Sequence, residues 1–415
     1  MYWNKLFEFN SFSREVTCND RVVLANTVSG KWIKIPKESF NLICDSIKNN
    51  LTIRQFITLF ESEVDKKYII KMLENLLCNE ILCYKGEEVK PKLNNVQFAV
   101  TNRCNLSCIH CSYNASNING EDYLSTQQIK DCIDKFISIG VEHITITGGE
   151  PLLRKDILEI LDYTRSHFSG NLTLMTNGLL INENNVDQLI TYLNSFNISI
   201  DGIDEETCSK IRGKGVFDKV VKVINLLKMK DVKNIEVSMV VTDITQNYVS
   251  KFRSLAKEWG VTPCIRYFSP IGRGAENKNK LLPHEDNYKL KINNKNANRN
   301  RMKCRSCMPG VKTLNIDYDG SIYPCGTMIY KEMMLSNILD IDNFELFNNQ
   351  TKYNTKSWDN MINMLPENHP ECKKCNLNIF CWTCPGVFLG ALNSKLQFQN
   401  HCDNSKNAIY QEVWL

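Results

Sequence analysis

The sequence predicts an α/β fold: an incomplete (β/α)6 barrel, preceded by a small winged-helix-like α+β unit and followed by a cysteine-rich region built on metal. Three observations carry this. From about 96 to 270, short apolar strands alternate with amphipathic helical stretches, the pattern of a parallel sheet with right-handed crossovers. Residues 1–84 run differently, with strands first and helices after. Eight of the 18 cysteines fall between Cys304 and Cys402, and three more lie within Cys104–Cys111. The 415 residues suit two or three domains. The expected division is 1–90, 91–276, a connection at 277–303, and 304–415.

In the first segment KLFEF, RVVLANT and KWIKI read as strands, with Ser29-Gly30 turning between the last two. Helical patterns cover 37–48, 52–62 and 66–78; in the third, Ile69, Ile70, Leu73, Leu76 and Leu77 share a face. Ile81–Tyr84 is a closing strand, and the polar stretch 85–95 a linker. The barrel strands are placed at 96–100, 143–147, 171–175, 196–200, 235–241 and 264–268. Helices lie between them near 126–139, 155–168, 183–193, 217–230 and 246–258. In such a barrel chemistry belongs at the C-terminal ends of the strands. Residues 277–303 are Asn/Lys-rich and read as a solvated connection, and 304–415 carries little periodic pattern, as where metal replaces an apolar core.

Composition narrows the function. Apolar residues make up 43% and charged residues 23%, which excludes wholesale disorder. A net charge of +4, from 50 basic and 46 acidic residues, gives no ground for nucleic-acid binding or a polybasic membrane anchor. No apolar run is long enough to span a membrane, and MYWNKLFEFN lacks the features of a signal peptide. Cysteines at short fixed spacings in a chain without an export signal point to metal or Fe–S ligation in a reducing cytoplasm rather than to disulfides.

Directly after the first barrel strand comes TNRCNLSCIHC, which sets Cys104, Cys108 and Cys111 in one loop. Three thiolates on a four-iron cubane leave one iron open for a chelating ligand; a zinc knuckle is the alternative. Further motifs sit at later strand ends: ITITGGEP (144–151), MTNG (175–178), ISIDG (198–202), KIRGKGVFD with Arg212, and SPIGRG (269–274). In order and at strand ends, these resemble the radical S-adenosylmethionine (SAM) superfamily. The resemblance implies a [4Fe–4S] cluster on Cys104, Cys108 and Cys111, with His110 before the third cysteine. It implies SAM contacts from Gly148, Gly149, Glu150, Asn177, Ser199, Asp201 and Arg212, the glycines allowing close backbone approach to the ligand and Arg212 able to pair with the SAM carboxylate. SPIGRG is expected to be the turn closing the barrel.

The C-terminal cysteines resemble the SPASM extension of the same superfamily, which adds two auxiliary clusters and makes three [4Fe–4S] clusters in all. By that resemblance Cys304, Cys307, Cys325 and Cys384 bind one, and Cys372, Cys375, Cys381 and Cys402 the other. The two-residue gaps within Cys304/Cys307 and Cys381/Cys384 depart from the usual spacing and bear on Cys304 and Cys384. Cys18, Cys44, Cys78, Cys83, Cys132, Cys208 and Cys264 remain as packing residues, Cys264 being the candidate exception at the last barrel strand.

The N-terminal unit resembles the PqqD-like peptide-recognition element of ribosomal peptide maturases. It would take a leader peptide as an added strand along Lys31–Ile35; a plain packing module is the alternative. The combination implies a maturase that uses a 5′-deoxyadenosyl radical to form cysteine thioether crosslinks in a precursor peptide, with a flavodoxin or ferredoxin type of electron donor. The rivals are carbon–carbon crosslinking, Ser/Cys oxidation of a peptide or protein, and a non-catalytic Fe–S or zinc scaffold.

Overall fold

The computed structural model describes residues 2–87, 91–116, 119–282, 302–341, 355–392 and 395–415. Most of the expected 277–303 connection, at 283–301, lies outside them. The chain forms two compact units: Met1–Pro91 with Lys289–Met308 and Asn363–Leu415, and Lys92–Tyr288 with Pro309–Ile362.

In the first unit β1 (Phe7–Phe9) pairs antiparallel with β5 (Leu82–Tyr84), and β2 (Ser13–Cys18), β3 (Arg21–Asn26) and β4 (Trp32–Pro36) form an antiparallel sheet in that order. The helices are α1 (Lys37–Lys48), α2 (Ile53–Thr58) and α3 (Glu63–Cys78). Alternation sorts the sheet residues to two faces. Val22, Leu24 and Ile35 bury against Ile43, Phe56, Leu73 and Leu76. Val16, Val23, Ala25 and Trp32 bury against Phe380, Ile409, Val413 and Trp414 from the C-terminal helices (Asn378–Cys381 and Lys395–Trp414). Apolar cover on both sides explains why β3 is buried from Val22 to Asn26. A further strand beyond those expected is β2, which leaves no alternating pattern in the sequence because only Val16 of SREVTC is buried.

The second unit carries the parallel sheet. Its strands are β6 (Asn95–Ala99), β7 (His143–Thr147), β8 (Asn171–Thr176), β9 (Ser195–Ser199), β10 (Ile235–Val241) and β11 (Thr262–Tyr267). They lie side by side in chain order, each parallel to the next. That order, without reversal, is the barrel order the sequence predicts and not a doubly wound one. The helices are α4 (Thr126–Ser138), α5 (Ile157–His167), α6 (Val186–Tyr192), α7 (Glu205–Arg212), α8 (Val216–Met229) and α9 (Val249–Trp259). One face of the sheet presents Phe98, Ile146, Leu174, Ile198 and Val237 to the helix-packed core. The opposite face carries Gln97, Thr145, Thr173, Asn197 and Glu236 and is polar.

Two elements differ from expectation. Helix α7 was not foreseen; it is polar overall, but Asp204 and Thr207 cap each other at its start. The region after 304 is also more regular than its sequence suggests. There β12 (Thr313–Ile316) adds to β6 in parallel, and β13 (Ser321–Tyr323) and β14 (Ser336–Asn337) extend the sheet to nine strands.

Candidate active site at the strand ends

The three-cysteine loop leaves the C-terminal end of β6 and is held from two sides. The turn after β7 presses on it. The Gly149 N–H donates to Thr101 O at 2.8 Å and the Glu150 N–H to Arg103 O at 2.7 Å. A Cβ on Gly148 would stand 2.3 Å from Thr101 O, and one on Gly149 2.2 Å from Arg103 O. Within the protein, the close approach these glycines permit is to the backbone of the cysteine loop. On the other side, Gly272 has φ +55° and a Cβ there would meet Ser112 O at 2.3 Å. Beside it the Arg273 guanidinium donates to Cys108 O (3.0 Å) and Ala115 O (2.7 Å), and Asn277 to Ile109 O (3.2 Å). SPIGRG is therefore a clasp on the loop. Arg273 belongs to the quoted motif, but its partners on the loop, and the part played by Asn277, carry no signal in sequence, the partners being 165 and 168 residues away.

Each loop sulfur has an N–H directed at it: Leu106 N to Cys104 Sγ and Ala115 N to Cys111 Sγ, both at 3.4 Å, and Arg212 Nη1 to Cys108 Sγ at 3.8 Å. Burial pushes the Cys104 thiol up to about 11 and raises Cys108 as well, with Arg212 opposing at Cys108. Sulfurs that are shielded from water yet supplied with donors suit thiolates bound to a cationic cluster. Among the described residues no three His, Cys, Asp or Glu side chains converge as a single-ion site requires. A cubane asks for ligands spread apart, since each thiolate holds a different iron.

Asp201 organises the next layer. It is fully buried with φ +49°, and its Oδ2 pairs with His110 Nε2 at 2.8 Å and Arg212 Nη2 at 2.6 Å, while Val240 N–H donates to Oδ1 at 2.5 Å. Burial alone would raise its pKa; the Arg212 and His110 charges outweigh that and hold the carboxyl well below the usual carboxylate range. Glu150 is also buried, and burial raises its pKa. Its oxygens accept from Thr176 Oγ1 (2.8 and 2.9 Å), Asn177 N–H (2.8 Å) and Leu152 N–H (3.1 Å), tying the turn after β7 to the end of β8. The Asn177 amide donates to Asn105 Oδ1 at 2.7 Å and lies 4.0 Å from Cys104 Sγ. Ser199 accepts from Ser238 at 3.4 Å. The structure thus gathers Cys104, Cys108, Cys111, His110, Gly148, Gly149, Glu150, Asn177, Asp201 and Arg212 at the strand ends, with Ser199 closing β9.

The C-terminal cysteines divide. In the first unit Cys372, Cys375, Cys381 and Cys402 lie within electrostatic reach of one another, and burial pushes Cys372 and Cys381 up to about 12. Cys304, also in that unit, is turned into the apolar core, where its thiol donates to Asn26 O at 3.5 Å. Cys307 and Cys384 belong to the first unit and Cys325 to the second.

The model of the radical SAM superfamily matches residues 98–256, the stretch that carries the cysteine loop and the strand ends from β7 to β10. The chain is 30% identical over 267 residues to the mycofactocin maturase MftC of Mycolicibacterium smegmatis, covering 59% of this chain and 67% of that one. The Mycobacterium tuberculosis counterpart is 34% identical over 188 residues; there the chain spans about half the relative's length, 48%. The antilisterial bacteriocin subtilosin biosynthesis protein AlbA of Bacillus subtilis is 28% identical over 368 residues, 84% of this chain and 79% of that one. Among solved structures, Streptococcus suis SuiB bound to S-adenosylmethionine superposes with a TM-score of 0.53 at 15% identity, over 95% of this chain and 97% of that one. These structural likenesses speak to the fold. With the cysteine loop clasped at the strand ends and the sequence match running through it, the chain belongs to the radical SAM superfamily.

Proposed function

We propose that this chain is a radical SAM maturase of a ribosomally made precursor peptide, and that its product carries cysteine thioether crosslinks. The observation that carries the reading is the Cys104/Cys108/Cys111 loop, with an N–H aimed at each sulfur, in a chain whose similar proteins include a mycofactocin maturase and a subtilosin biosynthesis protein. SuiB has been solved with a precursor peptide, SuiA. When a [4Fe–4S] cluster is bound there, it supplies the electron that cleaves SAM to methionine and a 5′-deoxyadenosyl radical.

The chain's own residues do the rest. Cys104, Cys108 and Cys111 hold the cluster, and Arg273 and the paired glycines fix the loop. Glu150, Asn177, Ser199 and the Asp201–Arg212 pair line the place for SAM, with Arg212 able to turn its fork to a carboxylate. Cys372, Cys375, Cys381 and Cys402 hold one auxiliary cluster. The SPASM resemblance implies a second auxiliary cluster on the remaining C-terminal cysteines, for which Cys304 is the weak member because its thiol faces Asn26 O. Among the described residues β4 is an end strand of the three-stranded sheet, and its outer edge is the place proposed for a leader strand. A small flavodoxin or ferredoxin supplies electrons.

The test is reconstitution under anaerobic conditions. Iron and sulfide should each reach about twelve per chain. Reduced protein with SAM and its precursor should yield a peptide about 2 Da lighter, the two hydrogens lost on forming one C–S bond, with one thiol fewer. An unchanged thiol count in the lighter product would replace thioether formation with another crosslink; zinc in place of iron would end the reading.

A further inference from the structure

The polar face of the parallel sheet carries a cation without an acid to match it. Arg266 stands on β11 and reaches across β10: its Nη2 donates to Asn197 Oδ1 on β9 at 2.9 Å, and its Nη1 lies 3.4 Å from Met175 Sδ on β8. Both partners are neutral. Among the described residues no carboxylate lies within ion-pair distance of Arg266, although two share its surroundings. Glu236 on β10 is taken by the Asn197 amide, and Asp317, just beyond β12, accepts the Tyr318 N–H at 2.8 Å. The Cys264 thiol sits between Arg266 and Glu236 and is hydrogen-bonded to both. Tyr113 feels Arg266 and Asp317 and donates to Asn315 Oδ1 at 3.0 Å, so the same space reaches back to the cysteine loop. The guanidinium is only partly exposed and lies one pleat below Ser199, whose neighbour across the register, Ser238, faces Cys264. The guanidinium of half-buried Arg266, held by an amide oxygen, a thioether and the Cys264 thiol, still has N–H donors to offer a ligand, and its planar geometry matches a carboxylate.

We propose that Arg266 is the specificity-determining anchor of the substrate site and binds a carboxylate of the peptide, an acidic side chain or a C-terminus, so as to hold the reacting residue beside the SAM place. This rests on the peptide-maturase reading. Asn197 and Met175 position the guanidinium, and the Glu236 charge nearby disfavours a second acidic group in the same space.

The test uses the cluster-loaded full chain and four probes: acetyl-Gly-Glu-Gly-amide, acetyl-Gly-Gln-Gly-amide, acetyl-Gly-Gln-Gly with a free C-terminus, and acetate. Binding is measured by NMR line broadening or calorimetry, with SAM affinity measured alongside. One of the two peptides bearing a carboxylate should bind about tenfold to a hundredfold tighter than the neutral amide, the range of a charge-assisted pair. The winner identifies a side-chain or terminal carboxylate. Arg266→Gln should erase the gap and leave SAM affinity within about twofold. Arg266→Lys, which keeps the charge without the fork, should retain part of it and serves if Arg266→Gln fails to load iron. A gap that is absent, or that survives Arg266→Gln, overturns the proposal. Equal loss of SAM and peptide binding also overturns it, by assigning Arg266 to the cofactor. Acetate binding as tightly as the better peptide, and through Arg266, would keep the carboxylate site and reject the peptide as its source.

Discussion

Asp201 is the residue on which the site's electrostatics turn. It joins His110 and Arg212 inside the protein, so replacing it strands a guanidinium there without a counter-charge. Asp201→Asn should cost about 3–5 kcal/mol, the usual result of removing one partner from a buried pair. Its folded pKa is depressed, so the stability it contributes is present above the unfolded value of about 3.9 and is lost as pH falls through the folded one. Acid unfolding of the cluster-free chain should show a constant gap between wild type and variant from pH 8 to about 4, closing below that. Asp317 has the opposite sign. Burial pushes its carboxyl up to about 6, above the unfolded value of about 3.9. The cost of burying its charge is therefore absent at low pH and complete above the folded pKa. Asp317→Asn, which keeps an acceptor for the Tyr318 N–H, should stabilise by up to about 3 kcal/mol at pH 7.5 and by little at pH 4.5, read by melting of the cluster-free chain. At this scale the sequence was legible where a residue belongs to a short motif, as with Asp201 in ISIDG. It was silent where a residue outside any motif bonds a partner far along the chain, as with Asn277.

Among the elements, the cysteine loop owes its shape to its neighbours. The turn after β7 and the Gly272–Gly274 clasp press on it where no side chain fits. Gly149→Ala would set a methyl group 2.2 Å from Arg103 O, so the turn or the loop must move. Iron at the Cys104/Cys108/Cys111 loop should fall sharply, while iron at the proposed Cys372, Cys375, Cys381 and Cys402 site stays. Mössbauer spectroscopy of a chain carrying Cys-to-Ala changes at one set or the other would separate them. Arg273→Ala removes two hydrogen bonds from the loop, each worth about 1 kcal/mol, and should slow loading without abolishing it. The apolar strands of the parallel sheet were readable because their faces alternate cleanly. β2 was not, since one buried Val16 among polar residues leaves no period. β12 was missed for a different reason: metal was expected to stand in for a core, yet Leu314 and Ile316 are fully buried in the sheet's main core.

For the whole molecule, the first unit depends on segments from distant parts of the chain. Val16, Val23, Ala25 and Trp32 are covered by Ile409, Val413 and Trp414. Ending the chain after Asn404 removes that cover, at a cost of about 2–5 kcal/mol for each large side chain lost. Hydrogen exchange should then show residues 13–36 unprotected while β6–β11 remain protected; equal loss in both would mean that the two units do not unfold separately.

The same arrangement has a consequence for synthesis. A chain emerging from the ribosome can complete the β6–β11 sheet while the three-stranded sheet still has one bare apolar face. Its N-terminal residues must wait for nearly four hundred others, as the spacing of Val16 from Val413 requires. During that interval the exposed face is a natural client for a chaperone, and a stall in translation late in the message would release a molecule able to assemble its cysteine loop but with its first unit unfinished.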